Sequence, residues 1–321
     1  MRAPEFWHRG GPMSVLLAPL GWAYGAVTRS RMAGTKPIRA GVPVLCIGNL
    51  TAGGTGKTPV ALDIGARLVK RGAAVHFLSR GYGGTISGPH RVDEGQDNAR
   101  AVGDEALLLA AVAPTWIGGD RVASAHAAVA AGAGVLVMDD GFQNPGLAKD
   151  FSILVFDGAE GFGNERLIPA GPLRETVAAG VARAQAMVIL GEDRTGVGKR
   201  IAGPRILAAA VEPGPGAENL ADQPVVAFAG IGRPAKFFDT LRDMNCDVRS
   251  AHAFADHHLY RDDEIARLEM AARNAGAILV TTAKDALRLP KGHGATVLPI
   301  SIRWADEDAI DRILDGMVGH G

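Results

Sequence analysis

The sequence predicts an α/β chain with a large parallel-sheet domain followed by a second, smaller α/β domain. Three observations carry that expectation. Apolar runs alternate with helical patterns along most of the chain, as strands and crossover helices do in a parallel sheet. A strand, a glycine-rich turn and a helix follow one another without a gap between Val42 and Arg71. Pro213-Gly214-Pro215-Gly216 makes the clearest break, and the residues after it have their own βαβ organisation. The expected domains are therefore 1–216 and 217–321. The length agrees, since 321 residues exceed what a single hydrophobic core usually serves.

Residues 42–58 read VPVLCIGNLTAGGTGKT. Val42 to Ile47 is apolar with three β-branched residues, the composition of a buried strand. Thr51, Ala52, Gly53, Gly54, Thr55, Gly56, Lys57 and Thr58 then follow the phosphate-loop pattern G-x-x-x-x-G-K-[ST], except that Thr51 occupies the first glycine position. Gly53, Gly54 and Gly56 can take backbone angles that let successive N–H groups curl around a phosphate. Lys57 supplies a charge for the outer phosphates and Thr58 a hydroxyl for Mg²⁺. Pro59 to Arg71 is helix-like and stops at Gly72; a proline is tolerated in a first helical turn. The strand–loop–helix context favours a phosphate-loop NTPase-type domain using ATP and Mg²⁺ over a flexible glycine-rich surface loop.

Acidic and basic residues balance at 34 each, which argues against a nucleic-acid partner held by a strong overall positive field. Cys46 and Cys246 stand two hundred positions apart with no C-x-x-C, so neither a zinc site nor a disulfide framework is expected. Near the start, the segment at about 12–28 is mostly apolar, contains Trp22 and Tyr24, and is followed by Arg29, Arg31, Lys36 and Arg39. Pro19, Gly21 and Gly25 break it, and it is too short to read as a spanning helix. Aromatic residues beside a basic flank suit a membrane-interface segment; a helix packed on the domain is the competing reading.

Farther along, Ala74 to Ser79 reads as the second strand, and Arg80 and Tyr82 lie in the loop at its carboxyl end, where open α/β sheets bind ligands. Gly103-Asp104-Glu105 opens the helical run 106–113, where carboxylates ordinarily cap and stabilise a helix. Thr115 to Ile117 is a short strand, and Arg121 leads into another helix. Val135 to Met138 is a fully apolar strand ending in Asp139-Asp140-Gly141-Phe142-Gln143. Carboxylates there are costly unless paired or metal-bound, and phosphate-loop enzymes keep their Mg²⁺-handling acid at this place. Ser152 to Phe156 is a strand ending at Asp157, residues 158–172 form a long functional-type loop, and Met187 to Leu190 is a further strand. Arg205 to Val211 continues the sheet or starts a linker. In the second domain come strand Val225 to Ala229, Gly230 and Gly232, helix Pro234 to Asn245, and strands Ile278 to Thr281 and Thr296 to Ile300. The adjacent His257 and His258 fit a surface loop or an acid–base pair better than a metal site, because no spaced ligand set accompanies them. Thr282-Ala283-Lys284-Asp285 has the wrong Lys–Asp spacing for a guanine-reading motif.

Taken in order, GNLTAGGTGKTP, SRGYGG, GDEALLL, DDGFQN, LIPAGPLRE, FADHH and TAKDALRL resemble the tetraacyldisaccharide 4'-kinases of lipid A biosynthesis over nearly the whole chain. The resemblance implies ATP- and Mg²⁺-dependent phosphorylation of the 4'-hydroxyl of a tetraacylated glucosamine disaccharide 1-phosphate, giving lipid IVA. It also implies a monotopic protein on the cytoplasmic face of the Gram-negative inner membrane, with the lipid and the membrane surface as partners. By the same resemblance Asp104 acts on the substrate hydroxyl with help from His257, beside the catalytic Lys57. Glu105, Asp139 and Asp140 join Thr58 around Mg²⁺, while Arg121 and Arg174 lie near phosphates with Arg80 and Tyr82 as further substrate-binding candidates. Asn144 and Ala283 stand where the family often has His and Glu. Since His257 falls in the second domain, domain closure would assemble the Asp104–His257 pair. The rival readings are a phosphate-loop kinase for a soluble small molecule and a membrane-associated nucleotide switch.

Overall fold

Val44–Gly48 (β1) is buried at every position, and alternate residues feed two cores. Leu45 and Ile47 pack with Ile64, Phe77 and Val137, while Val44 and Cys46 pack with Leu78, Leu136 and Met138 on the other face. A strand covered on both sides reads as a continuous apolar run. The computed structural model describes residues 4–290 and 292–318; the outermost residues of the two expected domains lie outside these. Among the described residues β1 is the middle strand of a nine-stranded sheet.

The other strands of that sheet are Val75–Ser79 (β2), His90–Arg91 (β3), Thr115–Ile117 (β4), Val135–Asp139 (β5), Phe151–Asp157 (β6), Ala186–Leu190 (β7), Arg205–Pro213 (β8) and a last strand contributed from near the carboxyl end of the chain. From β8 through β7, β6, β1, β5 and β2 to β4 every pairing is parallel, and β3 closes one edge antiparallel to β4. The helix Lys57–Lys70 lies on one face with Val60, Ala61, Ile64 and Leu68 buried. It comes so close that a Cβ on Gly65 would stand 2.1 Å from the Phe77 ring.

A smaller sheet of four parallel strands, in the order β10, β9, β11, β12, is built from Pro224–Ala229 (β9), Asp247–Ala253 (β10), Ile278–Thr282 (β11) and Thr296–Leu298 (β12). Val225, Ala227 and Ala229 face the helix Pro234–Asp243 through Phe237, Phe238 and Leu241; Val226 and Phe228 face the helix Asp262–Asn274 through Ile265 and Leu268. Sequence reading missed β10 and the second of these helices. The strand DVRSAHA alternates exposed with half-buried positions and has no apolar run, and the helix is rich in charge.

The chain does not end in the smaller unit. Thr296 to Ile300, expected as one strand, is split at Pro299, and Ile300–Trp304 (β13) pairs antiparallel with β8 at the edge of the large sheet. Pro299 cannot donate a ladder hydrogen bond; its carbonyl instead accepts from Gly214 N at 2.8 Å. The helix Glu307–Val318 then packs Ile310, Leu314 and Met317 into the large core, and Arg67 and Arg71 pair with Asp311 and Asp315. Residues 300–318 thus pack with the large sheet and its core, although the sequence places them in the second domain. The outgoing β8 and returning β13 make a two-stranded tie between the units.

At the amino end the helices Phe6–Arg9, Pro12–Leu16 and Ala18–Gly34 lie on the loop 158–172. Ser14 Oγ donates to the Ala170 carbonyl at 2.7 Å, Trp7 Nε1 to the Pro169 carbonyl at 3.0 Å, and Asn164 Nδ2 to the Phe6 carbonyl at 2.8 Å. Gly21 and Gly25 are buried against Leu167. The other side exposes Leu16, Leu20, Trp22 and Val27, each more than half accessible. One face of small residues is docked and one apolar face is exposed. No helix among the described residues is long and apolar enough to cross a membrane.

Candidate active site

Register brings the carboxyl ends of β1, β5 and β6 together, with Ile47 opposite Asp139 and Gly48 opposite Leu154. The phosphate loop rises from this edge around a buried amide: Asn49 Nδ2 donates to the Thr51 carbonyl at 2.7 Å and to Thr55 Oγ1 at 3.0 Å. Thr51 forms an antiparallel bridge with Leu173, and Ala52 N donates to the Pro172 carbonyl at 2.7 Å. Extended pairing suits a β-branched residue, so glycine is not needed at this first position. Gly56 is different. Its φ is +85°, which strains any residue with a side chain, and a Cβ there would lie 2.3 Å from Leu190 Cδ1, so Leu190 would also have to move.

Lys57 and Thr58 open the following helix directly beside the two acids. Thr58 Oγ1 donates to Asp139 Oδ2 at 3.1 Å, Lys57 Nζ stands 3.6 Å from Asp140 Oδ1, and Arg174 Nη1 donates to the same oxygen at 2.9 Å. Asp140 reaches both cations from a left-handed backbone, φ 52°. Burial favours its neutral form, but Lys57 and Arg174 outweigh that and hold the carboxyl below the usual range. Asp139 goes the other way. Burial, then the charges of Glu105 and Asp140, push its carboxyl up to about 7 against the opposing pull of Lys57 and Thr58.

Asp139 Oδ1 is buried with no hydrogen-bond partner, an expensive state that a cation would relieve. A hydroxyl and a carboxylate are the hard oxygen donors Mg²⁺ takes, with phosphates and water completing its shell. Thr58 and Asp139 therefore fit the ion. Asp140 is held by Lys57 and Arg174, and Glu105 Oε1 accepts from Lys284 Nζ at 2.6 Å, so each of these acids has a protein cation beside it. No group of three or more Asp, Glu, His or Cys side chains gathers as a metal site among the described residues.

Asp104 begins the helix Asp104–Ala110 and is buried. Its Oδ1 accepts from Glu105 N at 2.8 Å, as a helix-opening acid does, while Oδ2 faces His257 Nδ1 at 3.1 Å and Arg288 Nε at 3.5 Å. Burial alone would raise its pKa, yet His257, Lys284 and Arg288 bring it below the ordinary range. The hydrogen bond to Asp104 raises that of His257, against the effect of burial. Tyr82, largely exposed, sets its ring 5.7 Å from the His257 ring. A cleft of about 420 Å³ opens over these groups, lined by Tyr82, Arg100, Asp104, His257, Leu259 and Arg288.

Arg121 is buried, donates to the Gly118 carbonyl, and keeps its Nε without a partner. Burial and the nearby Arg80 lower it to about 10. A guanidinium with an open donor and a costly charge is a natural anion partner. Arg80 is exposed just past the end of β2, and its charge reaches Arg121.

A family model described as "LpxK: Tetraacyldisaccharide-1-P 4'-kinase" matches residues 13–319. The chain belongs to this family. It is 52% identical to the tetraacyldisaccharide 4'-kinase of Rhodospirillum centenum, over 100% of this chain and 99% of that one, and 53% identical to that of Gluconacetobacter diazotrophicus, over 98% of each. Its fold is similar to a crystal structure of "apo" form LpxK from Aquifex aeolicus in complex with ATP, with a TM-score of 0.79 at 26% identity over 95% of this chain and 99% of that one.

Family membership leaves several side chains around the site that sequence reading passed over. Lys284 and Arg288 reach Glu105 and Asp104 from the second unit, and Asp285 underpins Arg288 at 2.9 Å while accepting from Tyr260 Oη at 2.7 Å and Gly230 N at 2.8 Å. Gln143 ties Asn49 and Glu175 together. Four charged or polar residues within TAKDALRL were the available signal. The two positions that depart from the common family pattern have local tasks: Asn144 Oδ1 accepts from Gly146 N and Leu147 N, and Ala283 starts a short helix.

Proposed function

We propose that this chain transfers the γ-phosphoryl group of ATP to the 4'-hydroxyl of a tetraacylated glucosamine disaccharide 1-phosphate. The reaction takes place at the cytoplasmic face of the Gram-negative inner membrane. The observation that carries this reading is the Asp104–His257 hydrogen bond of 3.1 Å, which joins the two units in a cleft lined by Tyr82, Arg100 and Arg288. Phosphoryl transfer demands positioning and charge neutralisation more than covalent chemistry.

ATP with Mg²⁺ supplies the transferable group and screens its charge. Lys57 and Arg174 are the cations for the outer phosphates, already drawn together by Asp140. Thr58 and Asp139 would hold the metal ion, whose charge would offset that of the phosphates. Arg121 offers its unpartnered Nε to an anion. The proton of the acceptor hydroxyl passes to the Asp104–His257 pair, whose members share a hydrogen bond. Tyr82 provides a ring beside His257 on which a sugar can lie. The lipid approaches along the free face of the amino-terminal helices, where Leu16, Leu20, Trp22 and Val27 suit the headgroup–acyl boundary. That free face favours a membrane substrate over a soluble one.

Incubating the purified chain with γ-labelled ATP, Mg²⁺ and the tetraacylated disaccharide 1-phosphate tests the reading. Label in a bisphosphorylated lipid, placed at the 4' position by mass spectrometry, is the expected result. Release of inorganic phosphate alone would overturn it in favour of a nucleotide switch.

A further inference from the structure

Arg233 takes no part in the phosphoryl-transfer scheme, yet it makes three contacts across the boundary between the units. It comes after the Gly230-Ile231-Gly232 turn that ends β9 and precedes the helix Pro234–Asp243. Its Nη2 donates to Asp157 Oδ2 at 2.6 Å and to the Gly54 carbonyl at 3.0 Å, and its Nη1 donates to Glu160 Oε1 at 2.9 Å. Asp157 ends β6, the strand beside β1, and is buried; Lys236 Nζ stands 3.5 Å from the same oxygen. Burial would raise the Asp157 carboxyl, and Arg233 holds it below the usual range. A cavity of about 640 Å³ lies here between the units, with Gly53, Gly54 and Asp157 on one side and Arg233, Lys236 and Asp256 on the other.

The contact with Gly54 bears on how the phosphate loop works. In a trans peptide the carbonyl and the following N–H point in opposite directions. Fixing the Gly54 carbonyl toward Arg233 therefore turns the Thr55 N–H to the other side, away from the second unit. Gly54 carries no side chain to bias the backbone ahead of this peptide, and a Cβ there would meet nothing within 4 Å, while Asn49 Nδ2 holds the Thr55 hydroxyl behind it. On the Gly54 side an outside hydrogen bond is then what selects the orientation. Asp157 and Glu160 hold the guanidinium still while it does so.

We propose that Arg233 is a positioning residue of the nucleotide site: it sets the Gly54–Thr55 peptide for phosphate binding from the second unit, and so ties ATP affinity to the docking of the two units. The inference rests on the reading that ATP binds at residues 51–58. Linkage makes the coupling reciprocal, so bound ATP strengthens docking to the same degree that docking strengthens ATP binding.

The test is calorimetric titration of the full chain with Mg·ATP, alongside steady-state kinetics, for wild type, Arg233→Gln, Arg233→Lys, the exchange Arg233→Asp with Asp157→Arg, and Lys57→Ala. Loss of a charge-assisted brace predicts an ATP Kd raised about tenfold in Arg233→Gln, with lipid KM within about twofold of wild type. Arg233→Lys, the variant least disturbing to folding, should fall between, because an ammonium cannot span Asp157, Glu160 and Gly54 at once. The exchange should leave ATP affinity weak even where it restores the thermal midpoint, since Asp at 233 cannot donate to the Gly54 carbonyl. If Arg233→Gln and Arg233→Lys keep wild-type ATP affinity while Lys57→Ala loses it, the brace is wrong and the site stands. If Lys57→Ala also binds ATP as wild type does, the assignment of the loop itself fails.

Discussion

His257 Nδ1 lies 3.1 Å from Asp104 Oδ2 across 153 positions of sequence and across the boundary between the two sheets. Asp104 is the first residue of the helix Asp104–Ala110, whose N-cap is Gly103, and beyond the Glu105 N–H bond of Oδ1 its other oxygen is given to His257 and Arg288. His257 holds a left-handed backbone, φ 58°, to present its ring, a conformation that costs free energy for a side-chain-bearing residue.

The pair has a pH signature with opposite signs on its two limbs. The raised pKa of His257 means its stabilising contribution is full below the ordinary value of 6.5 and is lost as pH rises through the higher folded value. The lowered pKa of Asp104 means its contribution is full above the ordinary 3.8 and is lost as pH falls through the lower folded value. Docking of the units should be firmest between those limits. Turnover needs the pair free to accept a proton, so kcat should rise with pH on a limb set by a histidine pKa above 6.5. A kcat profile for His257→Ala that keeps the wild-type limb would contradict this.

Lys284 is the counter-charge of the site. It pairs with Glu105 at 2.6 Å, and although burial works against its charge, Glu105 and Asp104 keep its pKa raised. Replacing it with Met leaves Glu105 unneutralised, and the extra negative charge lifts Asp139, already at about 7, further. Because the same negative charge attracts a divalent cation more strongly than a proton, Mg²⁺ half-saturation in Lys284→Met should fall severalfold, more at pH 8, where Asp139 is ionised, than at pH 6. Titration of activity with Mg²⁺ at the two pH values checks this; an equal shift at both would argue against the electrostatic route.

The free face of the amino-terminal helices can be separated from the docked one. Changing Leu16, Trp22 and Val27 to Ser removes exposed apolar surface and touches none of the Ser14, Gly21 or Gly25 contacts. Burial of such surface contributes about 25 cal/mol per Å², so membrane recovery in flotation should fall strongly while turnover on detergent-dispersed substrate changes less than about threefold. Deleting 1–27 outright should do more, because it also removes Ser14, Trp7 and Gly21 from the loop that pairs with Thr51 and Ala52. Unchanged flotation of the triple variant would show that another surface meets the membrane.

Much of this was legible in the chain because its signals were local. The strand, glycine turn and helix around Lys57 are contiguous, and the Asp139-Asp140 pair ends a fully apolar strand, so both could be placed without tertiary knowledge. Asp104 alone read as a helix cap, and its burial is visible only once the second unit lies over it. Arg233, Lys284 and Arg288 stand in polar stretches where an exposed basic residue is ordinary. Their importance depends on which carboxylate or carbonyl they face across the boundary, and no periodicity records that. The return of β13 was hidden for a related reason: Leu298, Pro299 and Ile300 are continuous in hydrophobicity, and only pairing divides them between sheets.

The central claim is that Asp104 and His257 act as one unit on the acceptor hydroxyl, and single-turnover rates with pre-bound ATP test it most directly. Asp104→Asn should fold normally, since Asn has nearly the same shape and keeps an oxygen for the Glu105 N–H, and should lose at least about a hundredfold in rate. His257→Ala should also be slow, and the double variant scarcely slower than Asp104→Asn alone, because groups acting together are not additive. An Asp104→Asn protein with near wild-type rate, or a double variant whose loss is the product of the two single losses, would contradict the account.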